Sequence, residues 1–178
     1  MIGETINAPY AENFTVSNVF SSDMVVQRGE HIRVWGFADA SENGHKVSGE
    51  FMGMFAEALI ENGAWTLTFG ARLNACAEQG NSMRIYTDRT AFVFENVLVG
   101  DVFMVIGQSN VAYSMAAHRA AVPEAERGGV GYDVPSTPIR LHYNSLMQET
   151  GVTRGTEEVC AELRNRETWK RADAAAMQ

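Results

Sequence analysis

The chain has 178 residues, 46% of them hydrophobic, and 14 Lys and Arg against 22 Asp and Glu give a formal net charge of -8. That content supplies a packed core for one ordinary domain or two small ones, while the negative charge and scattered basic residues argue against a phosphate-backbone partner, so no nucleic acid is expected. No run approaches the roughly 20 apolar residues of a membrane-spanning helix. Because Met1-Ile2-Gly3-Glu4-Thr5 also lacks the basic and apolar regions of a secretory signal, the sequence as written predicts a cytoplasmic protein with no membrane partner.

Up to about Leu98 the predicted elements are strands. The runs Met24-Val25-Val26-Gln27, Ile32-Arg33-Val34-Trp35-Gly36, Trp65-Thr66-Leu67-Thr68-Phe69, Met83-Arg84-Ile85-Tyr86 and Ala91-Phe92-Val93-Phe94 are short and rich in β-branched and aromatic residues, several in alternation. Between them lie turn segments, among which Asn43-Gly44 and Asn62-Gly63 supply the positive φ angles of tight hairpins. Phe51 to Ile60 fits either a strand or one short helix. Residues 1–98 are therefore expected to form an antiparallel β-sandwich, with Trp35 and Trp65 in its core.

After Leu98 the texture changes, and a domain boundary is placed there. Val102-Phe103-Met104-Val105-Ile106 is a continuous apolar run of the kind a strand buried on both faces carries. Gly107-Gln108-Ser109-Asn110 follows as a turn, and Val111 to Ala121 is Ala-rich and helix-compatible until Pro123. After a Gly- and Pro-rich loop, Ile139-Arg140-Leu141-His142-Tyr143 reads as a second strand, parallel to the first through a right-handed crossover. Two parallel strands cannot cover their own faces. The fold class expected is thus a β-sandwich over 1–98 followed by the truncated start of an α/β (SGNH, flavodoxin-like) domain over 99–178, open to self-association through its incomplete sheet.

A serine between a buried strand and a helix sits where acyl-transfer chemistry is favoured. The strand end exposes its hydroxyl, and the helix N-terminus offers unpaired N–H groups and a partial positive charge to a developing oxyanion. On spacing alone, such a serine is most often only an N-cap. The block from Asn96-Val97-Leu98-Val99-Gly100-Asp101-Val102 through Gly107-Gln108-Ser109-Asn110, however, resembles the block leading into the nucleophile of sialate O-acetylesterase-like carbohydrate esterases of the SGNH hydrolase superfamily. A second stretch, Val16-Ser17-Asn18-Val19-Phe20-Ser21-Ser22-Asp23-Met24-Val25-Val26-Gln27-Arg28-Gly29 with Ile32-Arg33-Val34-Trp35-Gly36, resembles that family's N-terminal sandwich signature, and Pro138-Ile139-Arg140-Leu141 with Trp169-Lys170 adds a weaker third likeness.

The resemblance implies a serine acyl-enzyme mechanism on an O-acetylated sugar, with Ser109 as nucleophile, Gln108 and Asn110 as substrate-binding positions, and neither metal nor organic cofactor. The chain departs from the family where Val111-Ala112-Tyr113-Ser114-Met115 follows the turn, and no Asp-x-x-His occurs anywhere in it. None of its four histidines has the placement of a base. His31 and His45 belong to the β-rich part, His142 lies within the second strand, and His118 is nine residues beyond Ser109, roughly 13 Å along a helix. Asp101 opens the strand whose far end carries Ser109, and reads as an anchor of the interdomain junction. Cys76 and Cys160 show neither zinc nor disulfide spacing. Asn13-Phe14-Thr15, a glycosylation pattern without a signal peptide, reads as chance. The rival expectation from another functional class is a non-catalytic carbohydrate-binding or structural β-sandwich module.

Overall fold

The computed structural model describes residues 5–6, 10–11, 14–77, 80–106, 115–126, 138–142 and 168–172. Strands dominate them. One sheet has the order β1 (Thr5–Ile6), β10 (Ala91–Phe94), β9 (Met83–Tyr86), β6 (Lys46–Phe51), β7 (Met54–Leu59). A second has the order β2 (Tyr10–Ala11), β3 (Phe14–Val16), β5 (His31–Ala38), β8 (Ala64–Arg72). A parallel pair joins β4 (Val25–Gln27) to β11 (Leu98–Gly100). Beyond these come one short helix, α1 (Met115–Ala121), and a two-stranded antiparallel ribbon of β12 (Arg140–Leu141) and β13 (Lys170–Arg171).

Period-2 alternation makes the two large sheets a sandwich. From His31 to Phe37 in β5 and from Ala64 to Gly70 in β8 every second residue is buried, so Ile32, Val34, Trp65, Leu67 and Phe69 point inward to meet Val47, Phe51, Ile85 and Phe92 of the other sheet in one cluster. Within its own sheet Phe14 stacks on Trp65 at 5.1 Å, and two aromatic contacts span the gap: Phe14 stacks on Phe92 at 5.7 Å, and Phe51 meets Phe69 edge-on at 6.4 Å. Trp65 is core, as expected. Trp35 is not: the same alternation puts it on the outer face of β5, 40% exposed, with its ring edge-on to Phe20 at 4.7 Å.

The turns explain the strand lengths. Asn62 and Gly63 both have positive φ, 53° and 73°, and join β7 to β8 as the Asn-Gly signal predicts. The ambiguous stretch from Phe51 resolves as a hairpin, because Met52 (φ 47°) and Gly53 (φ 75°) form a turn of the same kind between β6 and β7.

Glu42 is the one buried charge among the described core residues, and it is satisfied. Its Oε1 accepts from Arg89 Nη1 at 2.8 Å and its Oε2 contacts His45 Nδ1 at 2.9 Å, tying the turn after β5 to the turn before β10. Removing Arg89 would strand a buried carboxylate with its exposed histidine partner alone, whereas Arg89 itself is largely solvated. Arg89→Ala is accordingly expected to cost about 2 kcal/mol in urea unfolding; a change below about 0.5 kcal/mol would show that solvent replaces the guanidinium freely.

Candidate functional site

In chain order the sandwich leads through β11 toward the Gly107-Gln108-Ser109-Asn110 segment. Leu98, Val99 and Gly100 pair in parallel with Val25, Val26 and Gln27, and Cys76 bridges Val99 from the other side through two backbone hydrogen bonds of 2.9 Å. At the end of this pair Arg28 N–H donates to Gly100 O at 2.8 Å, Val102 N–H donates to Gln27 Oε1 at 2.8 Å, and Arg28 Nε donates to Asp101 Oδ1 at 2.7 Å. That hydrogen bond and charge hold the Asp101 carboxyl below its ordinary range and raise the Arg28 guanidinium. Asp101 is therefore an anchor at the exit of the sandwich, as its position in the sequence suggests.

Beyond Val102 the expectation and the structure part. Residues 102–106 are in no strand, and Phe103, Met104, Val105 and Ile106 are 75–86% exposed. A strand buried on both faces needs pairing neighbours and a layer on each side, and among the described residues nothing pairs with this run. Gln108, Ser109 and Asn110 lie outside the described residues, as do Val111 to Ser114; α1 begins at Met115 on their far side and carries His118 and Arg119.

The second predicted strand also takes a different form. Arg140 and Leu141 pair antiparallel with Arg171 and Lys170, not parallel to a strand over 102–106. A two-residue pairing has little stability of its own, and the ribbon is held by the sandwich. Trp169 Nε1 donates to Val19 O at 2.7 Å, Trp169 N–H donates to Ser21 Oγ at 3.0 Å, and its ring packs on the core. Arg171 Nε donates to Asp23 Oδ1 at 3.0 Å, and Arg140 Nε lies 4.0 Å from the same oxygen. The Ser21-Ser22-Asp23 and Trp169 segments were each noticeable in the sequence, but contacts 148 residues apart leave no trace in a single chain.

Three of the histidines have neighbours in the sandwich or the ribbon, and the fourth, His118, lies in α1. His31 Nδ1 contacts Phe69 O at 3.2 Å, His45 pairs with Glu42, and His142 lies against Trp169 with ring centroids 5.5 Å apart. Among the described residues no three His, Cys, Asp or Glu side chains converge as metal ligands, and no helix is long and apolar enough to cross a membrane. Two shallow hollows, one lined by His45, Lys46, Ser48, Tyr86, Thr87 and Asp88 and the other by residues around Leu59 and Trp65, lie on the sandwich away from β11.

The chain shares its fold with a carbohydrate acetylesterase from Xanthomonas citri. That crystal structure superposes with a TM-score of 0.57 at 18% sequence identity, over 92% of this chain and 33% of the other. The chain thus spans about a third of the length of its structural neighbour. No protein-family model and no curated protein matches the sequence.

Proposed function

We propose that this chain is the sandwich and nucleophile-bearing portion of a carbohydrate O-acetylesterase of the sialate O-acetylesterase-like, SGNH type. The observation that carries the reading is a coincidence of two independent likenesses. The residues from Asn96 to Asn110 resemble the nucleophile block of those esterases, and the fold over 92% of the chain is that of a protein described as a carbohydrate acetylesterase.

In this reading Ser109 attacks the acetyl carbonyl, N–H groups at the start of the following helix hold the oxyanion, a histidine accepts the serine proton, and water then releases acetate from the acyl-enzyme. Gln108 and Asn110 flank the nucleophile and contact the sugar ester. The exposed Phe103 to Ile106 supports the reading from another direction, because an apolar run of this kind is what a central strand of an α/β sheet contributes. The histidine base is supplied by an Asp-x-x-His block outside these 178 residues. Sequencing the gene beyond the codon for Gln178 tests this: an in-frame Asp-x-x-His block is required, and a stop codon in its place contradicts the proposal.

A second reading, a carbohydrate-binding module, is favoured by one observation: Trp35 and Phe37 stand side by side on the outer face of β5, 40% and 39% exposed, as a stacking platform would. Binding of neutral oligosaccharides that is lost in Trp35→Ala, in a protein without esterase activity, would select it.

A further inference from the structure

The outer face of the β6–β9 pairing carries a hollow that the chemistry at Ser109 does not use. Alternation along β6 sends Val47, Gly49 and Phe51 into the core and leaves Lys46, Ser48 and Glu50 on the outer face. Ser48 lies there between Tyr86 of β9 and Glu57 of β7, and is buried even so. Its hydroxyl reaches Glu57 Oε1 only at 3.5 Å, well beyond the usual length of such a bond, so a polar group at the floor is poorly satisfied. The hollow beside it measures about 300 Å³, and Tyr86, Lys46, His45, Thr87 and Asp88 complete its lining.

Tyr86 offers the hollow a ring face rather than its hydroxyl. The hydroxyl donates to Glu50 Oε1 at 2.8 Å, and the Arg84 guanidinium lies over the ring, 4.4 Å from its centroid. Arg84 and Glu50 oppose each other two residues further along the register, and neither is among the described residues that line the hollow. The hollow therefore meets the ring from its other side, toward Lys46 and Asp88. The rim is fixed from beneath. Buried Glu42 holds His45, just before β6, and Arg89, just after Asp88, on its two oxygens. Thr87 N–H donates to Thr90 O at 2.8 Å, and Thr87 Oγ accepts from the N–H groups of Arg89 and Thr90 at 3.2 and 3.1 Å. Those bonds close the turn and leave the Thr87 hydroxyl proton to donate outward. Asp88 is exposed at the tip of the turn, and its carboxylate has no partner among the described residues.

We propose that this hollow binds one ring of a neutral pyranose sugar. The apolar C–H face of such a ring packs on the open side of Tyr86. Its hydroxyls find an acceptor in the Asp88 carboxylate and donors in Lys46, Thr87 and Ser48. A ligand with a full charge of either sign would meet a like charge, Asp88 or Lys46, in the same small space, whereas a polyol ring uses both groups. The volume lies at the low end of small-molecule sites, about 300–1,000 Å³, and suits a single ring. The rim that Glu42 and the Thr87 turn hold in place needs little further ordering on binding. The site belongs to the sandwich alone and stands whether or not Ser109 is a nucleophile. It lies on the opposite sheet from Trp35 and Phe37.

The test is a nitrogen-15 NMR titration of the whole chain with D-glucose, D-galactose, D-xylose and N-acetylglucosamine, and with glycerol as an acyclic polyol. At least one sugar is expected to give saturable shifts of the Ser48, Thr87 and Asp88 amides with a Kd of about 1–20 mM, the range of weak single-site binding, and glycerol none. Asp88→Ala removes a carboxylate that the fold does not use, and should weaken that sugar at least tenfold while the remaining amide signals stay in place. Tyr86→Ala should abolish the response; if that variant does not fold, the wild type and Asp88→Ala decide. The proposal is overturned by no saturable shift with any of the four sugars, by shifts confined to the Trp35 and Phe37 face, by an equal response to glycerol, or by equal affinities of the wild type and Asp88→Ala.

Discussion

Gly36→Ala should cost about 3 kcal/mol or more, enough to take a domain of ordinary stability close to unfolding. A Cβ on Gly36 would sit 1.9 Å from Thr15 O and 2.5 Å from Trp65 Cζ2. Neither neighbour has room to yield. Thr15 O is backbone in β3, fixed by the register that sets Val16 against Gly36, and the Trp65 ring is pressed against Phe14 in the core. The methyl group must therefore separate β3 from β5, breaking their pairing, or drive Trp65 off its stack on Phe14 in the core. Gly70, in β8, has nothing within 4 Å of the same position and no positive φ. Gly70→Ala is expected to change stability by less than about 0.5 kcal/mol. Urea unfolding of both variants checks the pair, and a Gly36→Ala loss under about 1 kcal/mol would contradict the packing described here.

The second large effect is on catalysis. Assayed by itself, the 178-residue chain is expected to hydrolyse aryl acetates and O-acetylated sugars no faster than its Ser109→Ala variant. A neutral serine is a poor nucleophile without a base. In a serine protease, losing the nucleophile or the base alone costs about as much as losing the whole triad, so partial machinery gives no partial rate. His31 and His45 are engaged with Phe69 and Glu42, His142 lies against Trp169, and His118 lies in α1, nine residues beyond Ser109 in the sequence. Turnover well above background that vanishes in Ser109→Ala would mean that one of these histidines, or a second copy of the chain, supplies the base.

The sandwich was legible where local chemistry decides structure. Alternating β-branched and aromatic residues marked β5, β8, β9 and β10 closely, and Asn62-Gly63 marked its turn, because positive φ is readily met there. The β6–β7 hairpin was not read, since Met52 is an unusual residue at positive φ and a Met-Gly pair gives no turn signal. Trp35 differs from the expected core position because the phase of β5, fixed by Ile32 and Val34 inside, turns it outward. The run from Val102 to Ile106 carries the composition of a buried strand, but composition cannot provide the neighbouring strands on which such a strand depends. The Asp23, Arg140, Arg171 and Trp169 seam was illegible for a related reason: its partners come from opposite ends of the chain, and neither end signals the other.

The measurement that bears most directly on the proposed activity is acetate release from an O-acetylated sugar by the protein made from the gene's complete reading frame, compared with its Ser109→Ala variant. The account predicts turnover by the wild type and a fall in kcat of about ten-thousand-fold or more in the variant, with folding unchanged by circular dichroism. A variant that keeps more than about a tenth of the wild-type rate, or a folded wild type that releases no acetate from any O-acetylated sugar, would contradict it.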